Sequence, residues 1–415
     1  MWETIRSIAS LLLSYGLLLL ANGLFGTLLG LRSKLEGFST ETTGFIMAGY
    51  FVGLLLGALY AVRVVAAVGH IRAFAAFASI MSVAVLAHLL RIDPVTWLIL
   101  RIVAGFCMAG MVMVTESWIH ERSTNKTRGR VLSLYMMTNY LGAGLGQFLL
   151  TVAHPAEFQL FVISSIIFSL ALVPILLTSA SSPKPVSPQR MRFRDLFAIS
   201  PVGVTGTIAA GLMNSSLNSM GPIYAAENGL SITQISTFMA STILGGMVLQ
   251  FPIGRLSDRL DRRTIMIFTA LAAIACALGI VWATPGGSWP MFLLTALYGG
   301  FAFTVYPLSA AQVNDLADVN QRVQIAAGLL IAYGIGAIAG PIVASQIMGQ
   351  MGPQGLFIFI SAIASGLVLI TIVRMAMRPR GGARKAPYLP LGSIGFSGKQ
   401  LYTAALKSLQ RKKGK

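Results

Sequence analysis

Long apolar stretches, separated by short polar connections, occupy most of the chain. About twelve of them are roughly 20 residues or longer, the length that an α-helix needs to cross the hydrocarbon core of a bilayer. A lipid-exposed segment has to hydrogen-bond its own backbone, so continuous apolar runs predict helices. The predicted spans are residues 8–31, 41–61, 70–90, 95–118, 131–152, 157–178, 200–226, 232–253, 264–283, 289–311, 323–347 and 355–376.

The second half of the chain repeats the first at an offset of 192 residues, in register with the apolar stretches. Such duplication is typical of secondary transporters. It predicts an all-α membrane protein of 12 transmembrane helices in two pseudo-symmetric six-helix bundles, residues 1–178 and 199–377. A cytoplasmic linker, 179–198, joins them, and a basic cytoplasmic tail, 378–415, follows. The repeated pairs are Asn22 and Asn214, Met47 and Met239, Gly53 and Gly245, Arg63 and Arg255, Arg130 and Arg322, Gly142 and Gly334, and Gly144 and Gly336.

Composition and charge agree with this interpretation. With 55% hydrophobic and 11% charged residues, the 415-residue chain is too apolar for a soluble domain. Most of its 31 Lys and Arg residues fall on the side of the N-terminus, which predicts that both termini are cytoplasmic. The net charge of +18 therefore indicates membrane topology, and no nucleic-acid partner is expected. Arg6 precedes an apolar run that exceeds the core of a signal peptide, so we interpret it as a retained first helix.

The basic tail leaves two readings open. Residues 399–413 can form a short helix on anionic lipid headgroups, or remain solvated. The two cysteines, Cys107 and Cys276, fall inside spans of opposite halves, so no disulfide is expected.

The connection after the eighth span carries the most specific motif. It contains Gly254, Arg255, Asp258, Arg259, Arg262 and Arg263. This loop resembles that of the major facilitator superfamily, G-x-L-x-D-R-x-G-R-R, between the second and third helices of a half. The resemblance implies the superfamily fold and ion pairs that lock or release the cytoplasmic mouth. The first-half copy keeps Arg63, but Ala66 replaces its acidic residue, so only Arg63 is carried over as a gating residue.

Two further patterns resemble the same superfamily. Arg101, Gly105 and Ala109 match R-x-x-x-G-x-x-x-A of the fourth helix, which implies an inward-facing arginine tied to proton coupling; the alternative is that Arg101 snorkels to the outer face. Gly340 and Pro341, after Gly334 and Gly336, resemble an antiporter pattern that softens a helix, although tight packing alone is equally consistent with it.

Three segments together resemble the YcaD-like group of bacterial facilitators: Glu116 to Trp118, Arg128 to Arg130, and Gly142 to Gln147. This resemblance implies a multi-pass protein of the bacterial inner membrane. Glu116 is a candidate for gating with Arg128 or Arg130, and titration of Glu116 is the alternative.

Candidate substrate-binding residues are amides and phenols that the helices carry near the membrane centre. Each could instead form an interhelical hydrogen bond. No Asp or Glu falls at the centre of a predicted span, so a neutral or anionic cargo is favoured over an organic cation. The candidates are Asn22, Gln147, Asn214, Asn218, Gln250, Tyr298, Tyr306 and Tyr333.

We therefore expect a monomeric secondary active transporter that moves a small organic solute by alternating access, coupled to protons. A drug or metabolite efflux antiporter is the alternative, and a lipid scramblase or a non-transporting sensor is the alternative from another class. The chain has no phosphate loop, paired nucleophile or metal quartet, so neither an enzyme nor a cofactor is expected. The sulfur groups of Cys107, Met108, Met111 and Met113 are of the kind that binds Cu(I), but copper transport is disfavoured because these residues do not share one helix face.

Overall fold

The computed structural model describes residues 2–123, 127–177, 193–284, 289–318 and 321–377. These residues form helices and no strand, which confirms the all-α prediction. Residues 179–192 of the predicted linker and the predicted tail lie outside them. The helices are α1 (Trp2–Leu35), α2 (Thr40–Val68), α3 (His70–Leu90), α4 (Pro94–Glu121), α5 (Arg128–Phe148), α6 (Gln159–Leu170), α7 (Val173–Leu176), α8 (Phe193–Ile199), α9 (Pro201–Glu227), α10 (Ile232–Arg259), α11 (Arg262–Ala283), α12 (Trp289–Leu316), α13 (Arg322–Met351) and α14 (Gly355–Met377).

Among the described residues, ten helices are long and apolar enough to cross a membrane, or eleven if the bent pair α8–α9 counts as one span. The helices α6 and α7 together form one of the ten, residues 159–176. Helix α5 has 21 residues, but polar positions such as Asn139 and Gln147 make it less apolar than the rest. The twelve spans and the cytoplasmic termini therefore stay predictions. We call the face at which α1 begins the terminal face, and the opposite one the distal face.

Side chains in the short connections cap the starts of the helices that follow them. Ser231 and Gln234 form a capping box at the start of α10, in which each side chain accepts a hydrogen bond from the other residue's backbone N–H. Asp93 caps α4 by accepting hydrogen bonds from the backbone N–H and the hydroxyl of Thr96. Those two hydrogen bonds hold the pKa of the Asp93 carboxyl below its ordinary value. Gly69, with φ of 85°, reverses the chain between α2 and α3.

Glycines bring the backbones of paired helices into direct contact, in the same way in both halves. In the first half α2 packs on α4 at Gly53 and Gly105, where an added Cβ would meet a backbone oxygen of the other helix. Gly245 and Gly299 make the equivalent contacts between α10 and α12. Lipid offers helices no hydrophobic force to associate, so close packing through small residues is a principal source of their stability. The two halves therefore share the same helix-packing contacts as well as the same sequence pattern.

The packing also corrects the register of the repeat in later helices. Gly142 of α5 lies against the carbonyl oxygen of Gly16 in α1, and Gly336 of α13 lies against that of Ile208 in α9. Gly16 and Ile208 differ by 192 residues, but Gly142 and Gly336 differ by 194. The sequence pairing of Gly142 with Gly334 is therefore displaced by two residues. Two extra residues between the second and fourth helices of the second half account for the shift.

We predict that Gly245→Ala lowers the thermal unfolding temperature of the purified protein, because its Cβ would collide with the backbone of Ala296 in α12. Overpacking of this kind costs about 1–3 kcal/mol. Gly366→Ala in α14 is the matched control, since an added Cβ there meets no atom within 4 Å. Equal unfolding temperatures for the two variants in the same detergent would contradict this account of the packing.

Candidate functional site

A cavity lies between the two halves of the repeat, about halfway along the helices. It contains about 650 Å³ of space that no atom fills, part of it open to solvent. Tyr50 marks its depth: it lies ten residues after the start of α2 at the distal face, which corresponds to roughly 15 Å. The lining residues are Asn22, Gly23, Gly26, Thr27, Met47, Tyr50, Phe51, Arg101, Ala143 and Gln147 from the first half, and Asn218, Ser219, Met239, Ile243 and Tyr333 from the second.

Equivalent positions of the repeat meet across this cavity. Met47 and Met239 differ by the 192-residue offset, and both line the wall. The same offset relates Thr27 to Ser219, which also both line it. The two halves therefore present corresponding faces of α1 and α9, and of α2 and α10, to a shared space.

Direct contacts between the halves lie at the distal face. Glu227 at the end of α9 accepts a hydrogen bond from the Thr40 hydroxyl at 3.2 Å and pairs with the Lys34 ammonium at 3.5 Å. We call Lys34, Thr40 and Glu227 the distal seal. Close by, Gly44 of α2 lies directly against Ser345 of α13.

A second set of contacts between the halves adjoins the cavity near the middle of the helices. Tyr140 and Ala143 of α5 pack with Ile243 and Phe303 of the second half in one buried cluster, which we call the inter-half cluster. The Tyr140 hydroxyl is also hydrogen-bonded to the Gln250 side chain. Ala143 and Ile243 belong to both the cluster and the cavity wall, so the cluster borders the cavity on the side toward the terminal face.

Four of the eight residues predicted to bind substrate line the cavity, and four do not. Helix rotation decides the difference: Asn218 reaches the cavity, whereas Asn214, one turn earlier in α9, is buried with its Oδ1 unpartnered among the described residues. The residues that line the cavity are Asn22, Gln147, Asn218 and Tyr333; those that do not are Asn214, Gln250, Tyr298 and Tyr306.

The residues away from the wall have other contacts. Gln250 binds Tyr140 of the inter-half cluster, and Tyr306 packs on Tyr333 with ring centroids 5.0 Å apart. Tyr298 is buried against the edge of Phe357. These residues can support the site without contacting a solute in it.

Arg101 lies in the cavity wall, with its side chain 3% exposed. Its guanidinium carbon is 4.4 Å from the ring centroid of Tyr50 and 5.8 Å from that of Phe25. No described Asp or Glu lies within ion-pair distance of it, and its Nε has no hydrogen-bond partner among the described residues. This placement favours the inward-facing arginine over the snorkelling one.

Sequence reasoning missed several wall residues. Tyr50, whose hydroxyl donates to Asn22 Oδ1 at 2.8 Å, is the main one. It lies three residues after Met47, on the same face of α2. Met47 and Met239 are a repeat pair in the sequence, but nothing in the repeat itself indicates that they face a cavity.

The predicted ion-pair motif forms a network inside the second half. Arg262, 1% exposed, donates from Nε to Asp315 Oδ2 at 2.7 Å and pairs with Asp258 Oδ1 at 3.3 Å. Its Nη1 also donates to the Ser257 hydroxyl at 3.0 Å. Asp315, from the end of α12, is the closer of the two carboxylates to the Arg262 guanidinium, and it is absent from the predicted gating residues. The network therefore joins α10, α11 and α12.

The remaining charged gating candidates contact residues that are close to them in the sequence. Arg263 pairs with Asp261 at 3.2 Å, Arg255 lies over the Phe251 ring, and Arg63 lies over the Tyr60 ring. Gly254 is buried, and Arg259 is exposed.

In the first half, Ala66 and His70 occupy the positions of Asp258 and Arg262, so the charge network has no copy there. Gly340, which precedes Pro341, lies against the Leu212 carbonyl as Gly146 lies against Leu20. That contact is thus part of the repeated packing.

Glu116 is buried in the first half, at 3% exposure. It accepts a hydrogen bond of 2.6 Å from the Tyr135 hydroxyl, and the Tyr135 ring stacks on Tyr15 at 4.5 Å. Asn139 in turn donates to the Tyr15 hydroxyl. Arg130 is exposed at the start of α5, and the side chain of Arg128 lies outside the described residues.

Nothing in the described part of the chain gathers three or more His, Cys, Asp or Glu side chains into a metal site. Cys107, Met108 and Met111 are buried in the core of the first half. Both cysteines are free thiols.

Comparisons with known proteins agree on one family. A family model described as Major Facilitator Superfamily matches residues 11–224 and 203–411. The uncharacterized MFS-type transporter YcaD of Escherichia fergusonii is 28% identical over 373 residues, 89% of this chain and 96% of that protein. An uncharacterized MFS-type transporter of Yersinia pestis is 28% identical over 85% of this chain and 92% of its own length. The crystal structure of the nucleoside transporter NupG superposes with a TM-score of 0.74 at 14% identity, covering 90% of this chain and 99% of that one.

We predict that Asp315→Asn destabilises the protein more than Asp258→Asn. The Asp315 side chain is 10% exposed and that of Asp258 is 39% exposed, so loss of Asp315 leaves a buried guanidinium without its main counter-charge. Removing one partner of a buried pair costs about 3–5 kcal/mol, whereas an exposed pair contributes up to about 1 kcal/mol. Thermal unfolding of both variants in one detergent measures the difference. An equal or larger loss in Asp258→Asn would overturn this ranking.

Proposed function

Since the chain belongs to the major facilitator superfamily, a family of membrane transporters, we propose that it moves a small neutral or anionic organic solute across the inner membrane by secondary active transport. The observation that carries this proposal is the cavity between the two halves. A solute site of this kind, near the midplane and at the interface of two repeats, is what alternating access requires.

The contacts around the cavity support alternating access as its mechanism. The distal seal and the inter-half cluster both join one half to the other, so each has to break or re-form when the halves rock. The Arg262 network lies within one half and moves with it as a rigid body. Rocking of packed halves about a central site then exposes the cavity to one face at a time.

The charges at the cavity support a neutral or anionic cargo. Arg101 is the charged residue among the described lining residues, and no carboxylate lines the wall. A permanent cation would therefore meet a like charge and no counter-charge. NupG is a nucleoside transporter, but at 14% identity the likeness supports the fold alone.

We propose a proton as the coupling ion, and Glu116 as its carrier. Among the described residues, Glu116 is the acidic side chain that is more than nine-tenths buried, which makes it the carboxylate most sensitive to its surroundings. The Tyr135 hydroxyl donates a hydrogen bond of 2.6 Å to it. Rocking of the halves can change the access of water to this carboxylate, so that it binds or releases a proton.

Counterflow in proteoliposomes tests the transporter proposal. The solute is chosen as the compound that raises the unfolding temperature of the purified protein most in a metabolite and drug screen. We expect labelled solute to enter vesicles preloaded with unlabelled solute, with no ion gradient. Movement of lipid alone would indicate a scramblase, and binding without exchange would indicate a sensor; either result refutes transport.

For coupling, we predict that Glu116→Gln abolishes accumulation driven by a pH gradient and keeps counterflow within about threefold of the unchanged protein. The amide keeps the size of the side chain but cannot exchange a proton. Glu121→Gln, at the exposed end of α4, is the matched control and should behave like the unchanged protein. Retained gradient-driven accumulation in Glu116→Gln would exclude Glu116 as the carrier.

A further inference from the structure

We infer that the cavity recognises an amphipathic organic monoanion, with the acid group bound by Arg101 and Asn22 and the apolar part held between Met47 and Met239. This inference rests on the transporter function proposed above, because it names the cargo of the same cavity. Three features of the cavity support it: the charge of Arg101, the hydrogen bonds of the wall, and the apolar surface that both halves contribute.

The charge of Arg101 favours an anionic ligand. Its surroundings are two aromatic rings, Tyr50 and Phe25, which attract a cation through their faces but offer the guanidinium no acceptor on those faces. A guanidinium has five N–H donors, and the Nε of Arg101 has no partner among the described residues. A carboxylate or phosphate is the ligand that a planar guanidinium binds best, with two parallel hydrogen bonds.

Hydrogen bonds within the first-half wall occupy its amide oxygens. The side-chain oxygen of Asn22 accepts from the Tyr50 hydroxyl at 2.8 Å, and that of Gln147 accepts from the Thr27 hydroxyl at 2.6 Å. The Gln147 amide nitrogen donates to the Gly23 carbonyl at 3.0 Å. The amide oxygens are thus used within the protein.

The polar groups that remain on this wall are chiefly donors, the Asn22 amide N–H groups and the charged guanidinium, and the hydroxyl oxygens of Tyr50 and Thr27 are neutral acceptors. A polyhydroxylated solute needs acceptors as well as donors, whereas an anion needs donors alone. From the second half, Asn218 and Ser219 can add a further hydrogen bond to the bound solute.

The repeat limits the ligand to one acid group. By the 194-residue register of α4 and α12, Arg101 corresponds to Thr295, which is buried and donates to the Phe292 carbonyl. The second half therefore supplies no matching cation to the described wall. A second negative charge on the solute would be desolvated without a partner.

The apolar part of the wall is shared by both halves. Met47 and Phe51 of α2 have their counterparts in Met239 and Ile243 of α10, at the 192-residue offset. A solute with an apolar body can contact both surfaces at once, and methionine side chains adapt to varied shapes. The acid group would then be bound by the first half, and the body by both.

Binding to the purified full-length protein tests the inference with three phenyl probes: 4-phenylbutyrate, its primary amide 4-phenylbutyramide, and the dianion phenylsuccinate. We expect the monoanion to raise the unfolding temperature and to bind at least about 10-fold more tightly than the amide or the dianion. A factor of ten corresponds to one charge-assisted hydrogen bond. Equal binding of the acid and its amide, or no binding of any acid, would overturn the inference.

Variants locate the acid group. Arg101→Gln should weaken 4-phenylbutyrate binding by about 10- to 100-fold, and Arg101→Lys by less, while Arg72→Gln, an exposed arginine of α3, should leave it unchanged. Asn22→Asp keeps Arg101 but places a carboxylate beside it, so it should also abolish the preference for the acid over its amide. That variant decides the matter if the Arg101 variants fail to fold. An unchanged preference in Asn22→Asp overturns the site.

Counterflow of 4-phenylbutyrate separates the two proposals. Binding with the expected acid preference but no exchange in proteoliposomes would refute the transporter function and retain the anion site. Exchange of the amide as fast as the acid would refute the anion site and retain the transporter function.

Discussion

Close contact between helix backbones, made possible by glycine, is the constraint on which the structure depends. Helices in lipid gain little from burying apolar side chains against one another, so they associate where small residues allow their backbones to touch. The contacts at Gly53 and Gly105 recur at Gly245 and Gly299, and each pair binds two helices of one half. Each half is therefore a tightly packed body, and the looser space between the halves is where a solute can bind.

Two buried arginines differ in whether the described residues supply a counter-charge. Arg262 meets the cost of its burial with carboxylates of its own half, Asp315 and Asp258, and so strengthens that half. Arg101 is as deeply buried, but its neighbours are aromatic rings and the cavity. A charge left without a protein counter-charge in a cavity can bind a ligand that supplies the counter-charge.

The sequence predicted the fold well because helix length and apolarity are local properties, and the structure has α3, α11 and α14 within two residues of their predicted bounds. The site depended on information that one sequence does not hold. Asn214 and Asn218 lie one turn apart, yet only the second lines the cavity, because helix rotation is decided by packing. Asp315 is 53 residues from Arg262, so its role emerges only when α11 packs on α12.

The most direct test of the central claim, that two rigid halves rock around the cavity, is the distance between spin labels on opposite halves at each face. Labels at Leu35 and Gln350 report on the distal face, and labels at Ser133 and Asp318 report on the terminal face; all four positions are exposed. The account predicts that solute or a change from alkaline to acid pH lengthens one distance and shortens the other. Distances that stay constant, or that lengthen together, would contradict it.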